Sequence, residues 1–507
     1  MEGARTDAAR REGRFAVVAA VLLLLAPALF FVATARPDLE GSDSAELVAS
    51  SFALGIPHAT GYPLYTWIGR LAIVLLPFDP DRDMNLLSAL LGGAALFLFA
   101  LALREATGRL LPAAVLLSGL GFGRPFWFVS TIAEVYTLHL LLVAATVFFL
   151  FRWGRTAAGR DLLLAVYFAA LGISHHGSTV LLLPGYLLYV LLRAGGIGRA
   201  VRLAPLLLLA PLAFTVYLHH PIRHAARPPI DSFREIEEKV AMGLLDRETA
   251  GGSFGERFLY KTMGRGPGRK ASFFGEEARR RAASFPAMVR RSIGTLALLA
   301  GIAGLALGIA RGTAGGRAAG ALLAWGLAAN TLFFLNLKTE DLDDFLVPSF
   351  VFLAAGGALL AARTLCAPLP RGLRRAAAPL LLALFLALNG AEIVRASARG
   401  GGYRHSAPTL PRERQLLAEP FPDGAAILLP WGRATVLRYL QTAEGLRPDL
   451  VVHAVQRNQI DRVLPVLVES GPVFADDAGE ETRKRYSVSS SGSLFRIEKR
   501  EPSGLSR

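Results

Sequence analysis

Apolar residues in this chain come in long uninterrupted runs, not in the alternation of strands or the three-to-four spacing of soluble helices. Such runs lie near 15–33, 85–104, 109–122, 127–151, 161–174, 178–192, 203–219, 292–310, 317–336, 345–363 and 377–395. A run of roughly 20 apolar residues crosses the hydrocarbon core as a helix. Continuous runs, unlike alternating ones, exclude a closed barrel. The pattern therefore predicts a polytopic α-helical membrane protein with about eleven transmembrane helices. The runs at 109–122, 161–174 and 178–192 fall below the roughly 17 residues a span needs, so their ends are loosely set. The run 62–78 carries Arg70 and is bounded by prolines, which predicts an interfacial amphipathic helix and not a twelfth span. The first run ends in Ala33-Thr34-Ala35, which mimics a signal cleavage site, but it is longer than a signal-peptide core and reads as an uncleaved span.

Arginine placement orients the spans. With the amino terminus inside, eighteen arginines fall in the inner segments, while the short outer ones hold only Arg36, Arg70, Arg82, Arg124 and Lys338. This is the asymmetry of the positive-inside rule. Making 62–78 a span would invert it. A first outer loop then covers 34–84 and a large one covers 220–291, too long to be governed by the rule. In the large loop, Phe233, Ile236, Val240 and Leu244 fall at helical spacing, as in a helix lying on the membrane surface.

Beyond Arg395 the composition becomes that of a soluble domain, dividing the chain into a transmembrane part, 1–395, and an outer part, 396–507. Strands are expected at 426–430, 450–454, 472–475 and 493–498, with helices at 433–443 and 461–469. That alternation predicts a small α/β domain. The whole chain is 53% hydrophobic and 19% charged, with a mean hydropathy of +0.42. Its net charge of +15 could suggest nucleic acid. The arginines cluster between apolar runs, which reads as topology control and argues against a nucleic-acid partner. One cysteine, Cys366, leaves no intrachain disulfide and no metal motif. The Gly-, Ala-, Arg- and Leu-rich composition, without eukaryotic glycosylation signals outside, points to a bacterial inner membrane.

Ionisable groups at a membrane edge are costly and need a reason. Asp43 and Glu46, three apart, fit a capping box opening an outer helix, and they also fit a general base with an acidic neighbour. His58 and Tyr62 follow at once. Glu134 is expected about two turns inside the 127–151 span, either in an ion pair between helices or in a site. His175 and His176 are adjacent, so they face different ways and have no third ligand at metal spacing. The acidic run 340–344, with Asp343 and Asp344, allows a divalent cation but equally a solvated hinge, so no metal or other cofactor is assigned. Arg124 and Arg223 are candidate phosphate contacts. There is no phosphate-binding glycine loop, dinucleotide fingerprint, nucleophile elbow or zincin motif.

Three blocks carry a resemblance: 43–47 (Asp-Ser-Ala-Glu-Leu), 54–65 and 85–89. Further similarity lies in 133–138 with Glu134 and Tyr136, at His175-His176, in 343–348, and in Arg447-Pro448-Asp449-Leu450. The chain resembles C-type membrane glycosyltransferases, in particular the family that contains transmembrane protein 260 and its bacterial relatives, which includes a protein O-mannosyltransferase. It departs from that pattern at Ala45, where the family commonly has Gly, and at Thr60, where it often has Pro; neither change removes a charge. The resemblance implies a C-type fold and transfer of mannose or a similar hexose from a polyprenyl-phosphate donor to a hydroxyl of a protein, glycan or lipid. It places the catalytic acid at Asp43 with Glu46 beside it. The expected site adds His58, Tyr62, Arg124, Glu134, Tyr136, His175, His176, Arg223, Asp343 and Asp344 as substrate-binding groups. Two rivals remain: a flippase for lipid-linked sugars, and a non-enzymatic scaffold for the outer domain.

Overall fold

The computed structural model describes all residues except 1–12, 263–274, 338, 340, 366–370, 400–401 and 501–507. Seven of its helices are long and apolar enough to cross a membrane: Arg14–Thr34, Pro80–Thr107, Tyr136–Thr156, Gly177–Ala194, Ile197–Ala225, Ala314–Asn336 and Val347–Leu365. An eighth span is reached if the pair Glu276–Ile293 and Thr295–Arg311, bent by 106°, counts as one. The other apolar runs are helical too, but differently. Leu111–Gly121 is only 11 residues long, about 16 Å at helical rise, and its residues from Pro112 onward are buried inside the protein. Gly159–His175 has 17 residues, and the last expected run lies in the Arg371–Arg399 helix. Among the described residues, seven or eight helices thus meet this measure of length and composition, while the expected runs at 109–122 and 161–174 form shorter helices and that at 377–395 lies in a 29-residue one.

The 62–78 run forms a short helix, Pro63–Leu75, which leaves Trp67, Leu71, Val74 and Leu75 exposed along one side. An apolar stripe of this kind suits the membrane interface. The expected span at 127–151 is broken. A helix covers Arg124–Val129, the chain turns through 130–135, and a second helix runs Tyr136–Thr156. Local polar chemistry accounts for the break: the Thr131 hydroxyl donates to the Trp127 and Phe128 carbonyls, while the Thr131 carbonyl accepts from the Arg36 amide at 2.9 Å. Glu134 therefore stands in the link before a helix and not two turns inside one.

The carboxyl-terminal domain is a five-stranded sheet in the order β2-β1-β3-β5-β4, with β1 Ala426–Leu429, β2 Val451–Ala454, β3 Val473–Ala475, β4 Tyr486–Ser491 and β5 Leu494–Lys499. β1 pairs parallel with β2 and β3, and β5 pairs antiparallel with β3 and β4. The sequence pattern anticipates every strand but β4. That strand reads Tyr-Ser-Val-Ser-Ser-Ser and lies at the sheet edge, where a polar strand is tolerated because it needs no second partner.

This domain is docked on the helical part. One apolar cluster contains Leu39, Ala45 and Val48 together with Ala434, Leu437 and Leu440. Arg36, 1% exposed, pairs with Asp38 at 2.7 Å and Glu40 at 2.5 Å, and donates to the carbonyls of Ser406 and Ala407 in the connecting segment. Arg438 reaches Glu235 at 3.3 Å. The helix expected on the membrane surface is thus Ser232–Ala241, held against this domain with Phe233 fully buried.

Candidate functional site

Asp43 and Glu46 open the helix Asp43–Ala53. Residues three apart share a helix face, and the first turn is where the helix dipole favours negative charge. No capping box forms. The residue preceding the helix is Ser42, at φ +66° and without a side-chain cap, and Glu46 turns to His58 instead of back to the start of its own helix. The Glu46 carboxylate, 2% exposed, accepts from the His58 amide at 3.0 and 3.1 Å and lies 2.5 Å from His58 Nδ1. This leaves His58 Nε2 facing Asp43 Oδ2 at 3.4 Å. The other oxygen, Asp43 Oδ1, accepts the indole N–H of Trp431 at 2.8 Å. Asp43 keeps about a third of its side-chain surface open, and that opening is what a reacting group needs.

A ring of aromatic groups continues from this pair. His58 meets Tyr62 edge-on at 5.4 Å between ring centres, Tyr62 meets His175 at 5.8 Å, and His175 stacks on Tyr65 at 6.4 Å. His175 Nε2–H donates to the Val135 carbonyl at 3.0 Å, which ties the 130–135 link to the site. Burial, then the nearby charges of Asp43 and Asp344, push the Glu134 carboxyl well above the usual carboxylate range. His176 faces the other way, as adjacency requires: Nδ1 lies 2.7 Å from the Ser178 hydroxyl, and the ring packs near Tyr136, His139 and Phe345.

Beyond Phe345 a cavity of about 370 Å³ is lined by Arg124, Phe128, Met288, Asp341, Leu342, Asp343 and Asp344. Burial, reinforced by Asp341 and Asp343 and opposed by Arg124, raises the Asp344 carboxyl to about 8. Asp343 is also raised by burial, against Arg291 and Arg124. Between about pH 4 and 8 the folded protein keeps the Asp344 proton that the unfolded chain releases, so stability falls as pH rises through that window. Asp344→Asn removes this dependence. In thermal unfolding the variant is expected to gain on the wild type as pH goes from about 5 to 9; a constant difference would contradict the shift. Among the described residues, no three His, Cys, Asp or Glu side chains are grouped to hold a metal ion, and Glu340 lies outside the described residues.

Arg223 is not in this cluster. Its guanidinium donates to the carbonyls of Leu54 at 2.7 Å and Ala53 at 2.9 Å, at the far end of the Asp43–Ala53 helix, about 15 Å along the axis from Asp43. Two residues that hold this site carry no sequence signal. One is Trp431, 388 positions from Asp43. The other is Lys261, 2% exposed, which donates to the Pro57 carbonyl at 2.7 Å and to the Ser232 hydroxyl and so holds the His58 segment from behind. Burial lowers the Lys261 amine to about 7, while Glu46, Asp231 and Glu235 pull it back up.

Taken whole, the chain has the fold of a C-type membrane glycosyltransferase. It superposes on ArnT from Cupriavidus metallidurans bound to undecaprenyl phosphate with a TM-score of 0.54 at 14% identity, over 95% of this chain and 97% of that one. On the archaeal oligosaccharyltransferase AglB from Archaeoglobus fulgidus, in complex with an inhibitory peptide and a dolichol-phosphate, the TM-score is 0.57 at 12% identity, over 96% of this chain and 75% of that one. More particularly, residues 43–197 match the N-terminal domain of the protein O-mannosyl-transferase TMEM260. The mouse (Mus musculus) protein O-mannosyl-transferase TMEM260 is 35% identical over 152 residues, 29% of this chain. The match spans only 20% of that relative. Its matched domain opens at Asp43 and takes in Glu46, His58, Glu134 and both site histidines.

Proposed function

We propose that the protein is an inverting glycosyltransferase. It moves mannose or a similar hexose from a polyprenyl-phosphate donor to a hydroxyl group, with a protein serine or threonine as the favoured acceptor. Asp43 Oδ2 takes the acceptor proton as the acceptor oxygen bonds to the anomeric carbon; the bond from that carbon to the phosphate oxygen breaks, and the phosphate leaves as a stabilised anion. Such a leaving group needs no strong acid but does need positive charge or donors, and Arg124 is the candidate. Glu134, whose surroundings favour its protonated form, is suited to donate a hydrogen bond to donor or acceptor oxygens. The reaction is assigned to the outer face, the periplasmic side of a bacterial inner membrane.

The observation that carries this reading is the setting of Asp43: a partly open carboxylate with one oxygen held by Trp431 and the other turned toward His58, at the head of the domain shared with TMEM260. The undecaprenyl phosphate of the ArnT complex and the dolichol-phosphate and peptide of the AglB complex support the donor class and a protein acceptor. Purified protein should be incubated with a panel of polyprenyl-phosphate sugars and serine- or threonine-bearing peptides. Transfer from at least one lipid-phosphate donor is expected. Absence of transfer from the whole panel, with the protein folded and the donors intact, would reject the reading.

A further inference from the structure

We infer that Trp431, contributed by the carboxyl-terminal domain, is a positioning residue for Asp43, so that the site is complete only when that domain is docked. This rests on the reading of Asp43 as the base.

Trp431 is the first residue of the helix Trp431–Ala443, immediately after β1 and Pro430. Its placement is built from several independent contacts. The Gly432 carbonyl accepts from the Ser42 amide at 3.4 Å, just before Asp43. Gly41 lies close by, where a Cβ would stand 3.3 Å from the Gly432 oxygen, a tight contact that glycine avoids. Arg433 donates through Nε and Nη2 to the two carboxylate oxygens of Glu413, at 2.7 and 2.9 Å, with Glu413 only 3% exposed. From this anchored position the indole N–H donates to Asp43 Oδ1 at 2.8 Å, while its ring stands edge-on to His58 at 6.2 Å.

The chemistry of this contact is selective. An indole N–H donates and cannot accept, so it satisfies one oxygen and takes no part in proton transfer. Carboxylate rotation is restrained, and Oδ2 remains on the side of His58 as the one oxygen for the acceptor hydroxyl. Holding a base in reacting geometry raises turnover without adding ground-state affinity. Besides Trp431, His58 in the following segment faces Asp43, and Glu134 in the 130–135 link lies near enough to feel its charge.

A crossed pair of substitutions in the full-length protein separates hydrogen bonding from packing. Trp431→Phe keeps an aromatic ring and loses the donor; Trp431→Gln loses the ring and keeps an N–H donor of similar reach. With polyprenyl-phosphate mannose and a serine-bearing peptide as probes, Trp431→Phe is expected to lower kcat about 10-fold with KM for the donor within about twofold. Trp431→Gln is expected to recover part of that loss. Undiminished kcat in Trp431→Phe, or two variants equally impaired, would overturn the positioning role. Asp43→Asn assayed alongside isolates the underlying reading, because an active Asp43→Asn removes the base itself whatever Trp431 does.

Discussion

Asp43→Asn is expected to lower kcat/KM for sugar transfer by about 10³-fold, within the range a general base contributes, while leaving the protein inserted and folded. The substitution is nearly isosteric. Its amide oxygen can still accept the Trp431 N–H, so docking of the carboxyl-terminal domain is preserved, but no oxygen remains that can take up a proton. Donor affinity should change little, because the proposed mechanism gives the phosphate to Arg124 and not to Asp43. A labelled-sugar assay across donor concentrations checks this: a loss confined to kcat fits the base, and a loss confined to KM assigns Asp43 to binding. Glu46→Gln, which weakens the hold on His58 without touching the base, should fall between this variant and the wild type.

Arg36→Ala is expected to be the most destabilising single change, by about 3 kcal/mol, the lower end of the cost of removing one partner from a buried ion pair. Arg36 is 1% exposed, and its loss leaves Asp38 and Glu40 close together without the cation between them. It also strips donors from Ser406 and Ala407, the segment that anchors the carboxyl-terminal domain. Thermal unfolding in detergent reads the stability. Limited proteolysis should show new cleavage between the Arg371–Arg399 and Leu410–Leu417 helices. Transfer activity should fall with it, because Trp431 leaves Asp43. Arg36→Lys should rescue poorly, since one ammonium cannot serve two carboxylates and two carbonyls. Wild-type proteolysis in Arg36→Ala would contradict the anchoring role.

The membrane class and the α/β character of the carboxyl-terminal domain are legible in the pattern of apolar positions, because lipid imposes a run length and alternating strands and helices impose short, turn-bounded runs. The number of long helices is not. A hydropathy run does not distinguish a span from a short helix such as Leu111–Gly121 buried within the protein, nor does it show that Thr131 and its neighbours break 127–151 before Glu134. The acidic pair at 43 and 46 stands out by spacing and charge, yet the partner of Glu46 is His58 and not the helix end, a choice decided by tertiary packing. Arg223 has the chemistry of a phosphate contact and is instead committed to two backbone carbonyls. Trp431 lies 388 positions from Asp43 and Lys261 lies 204 from Pro57, both in ordinary sequence surroundings, so nothing local marks them.

The measurement closest to the central claim is the anomeric configuration of the transferred sugar. A polyprenyl-phosphate hexose of defined configuration, incubated with the wild-type protein and a hydroxyl acceptor, gives a product whose linkage is readable by nuclear magnetic resonance. Single displacement with Asp43 as base predicts the configuration opposite to the donor's, with the product absent in Asp43→Asn. Retained configuration, or unchanged product in Asp43→Asn, would contradict the mechanism.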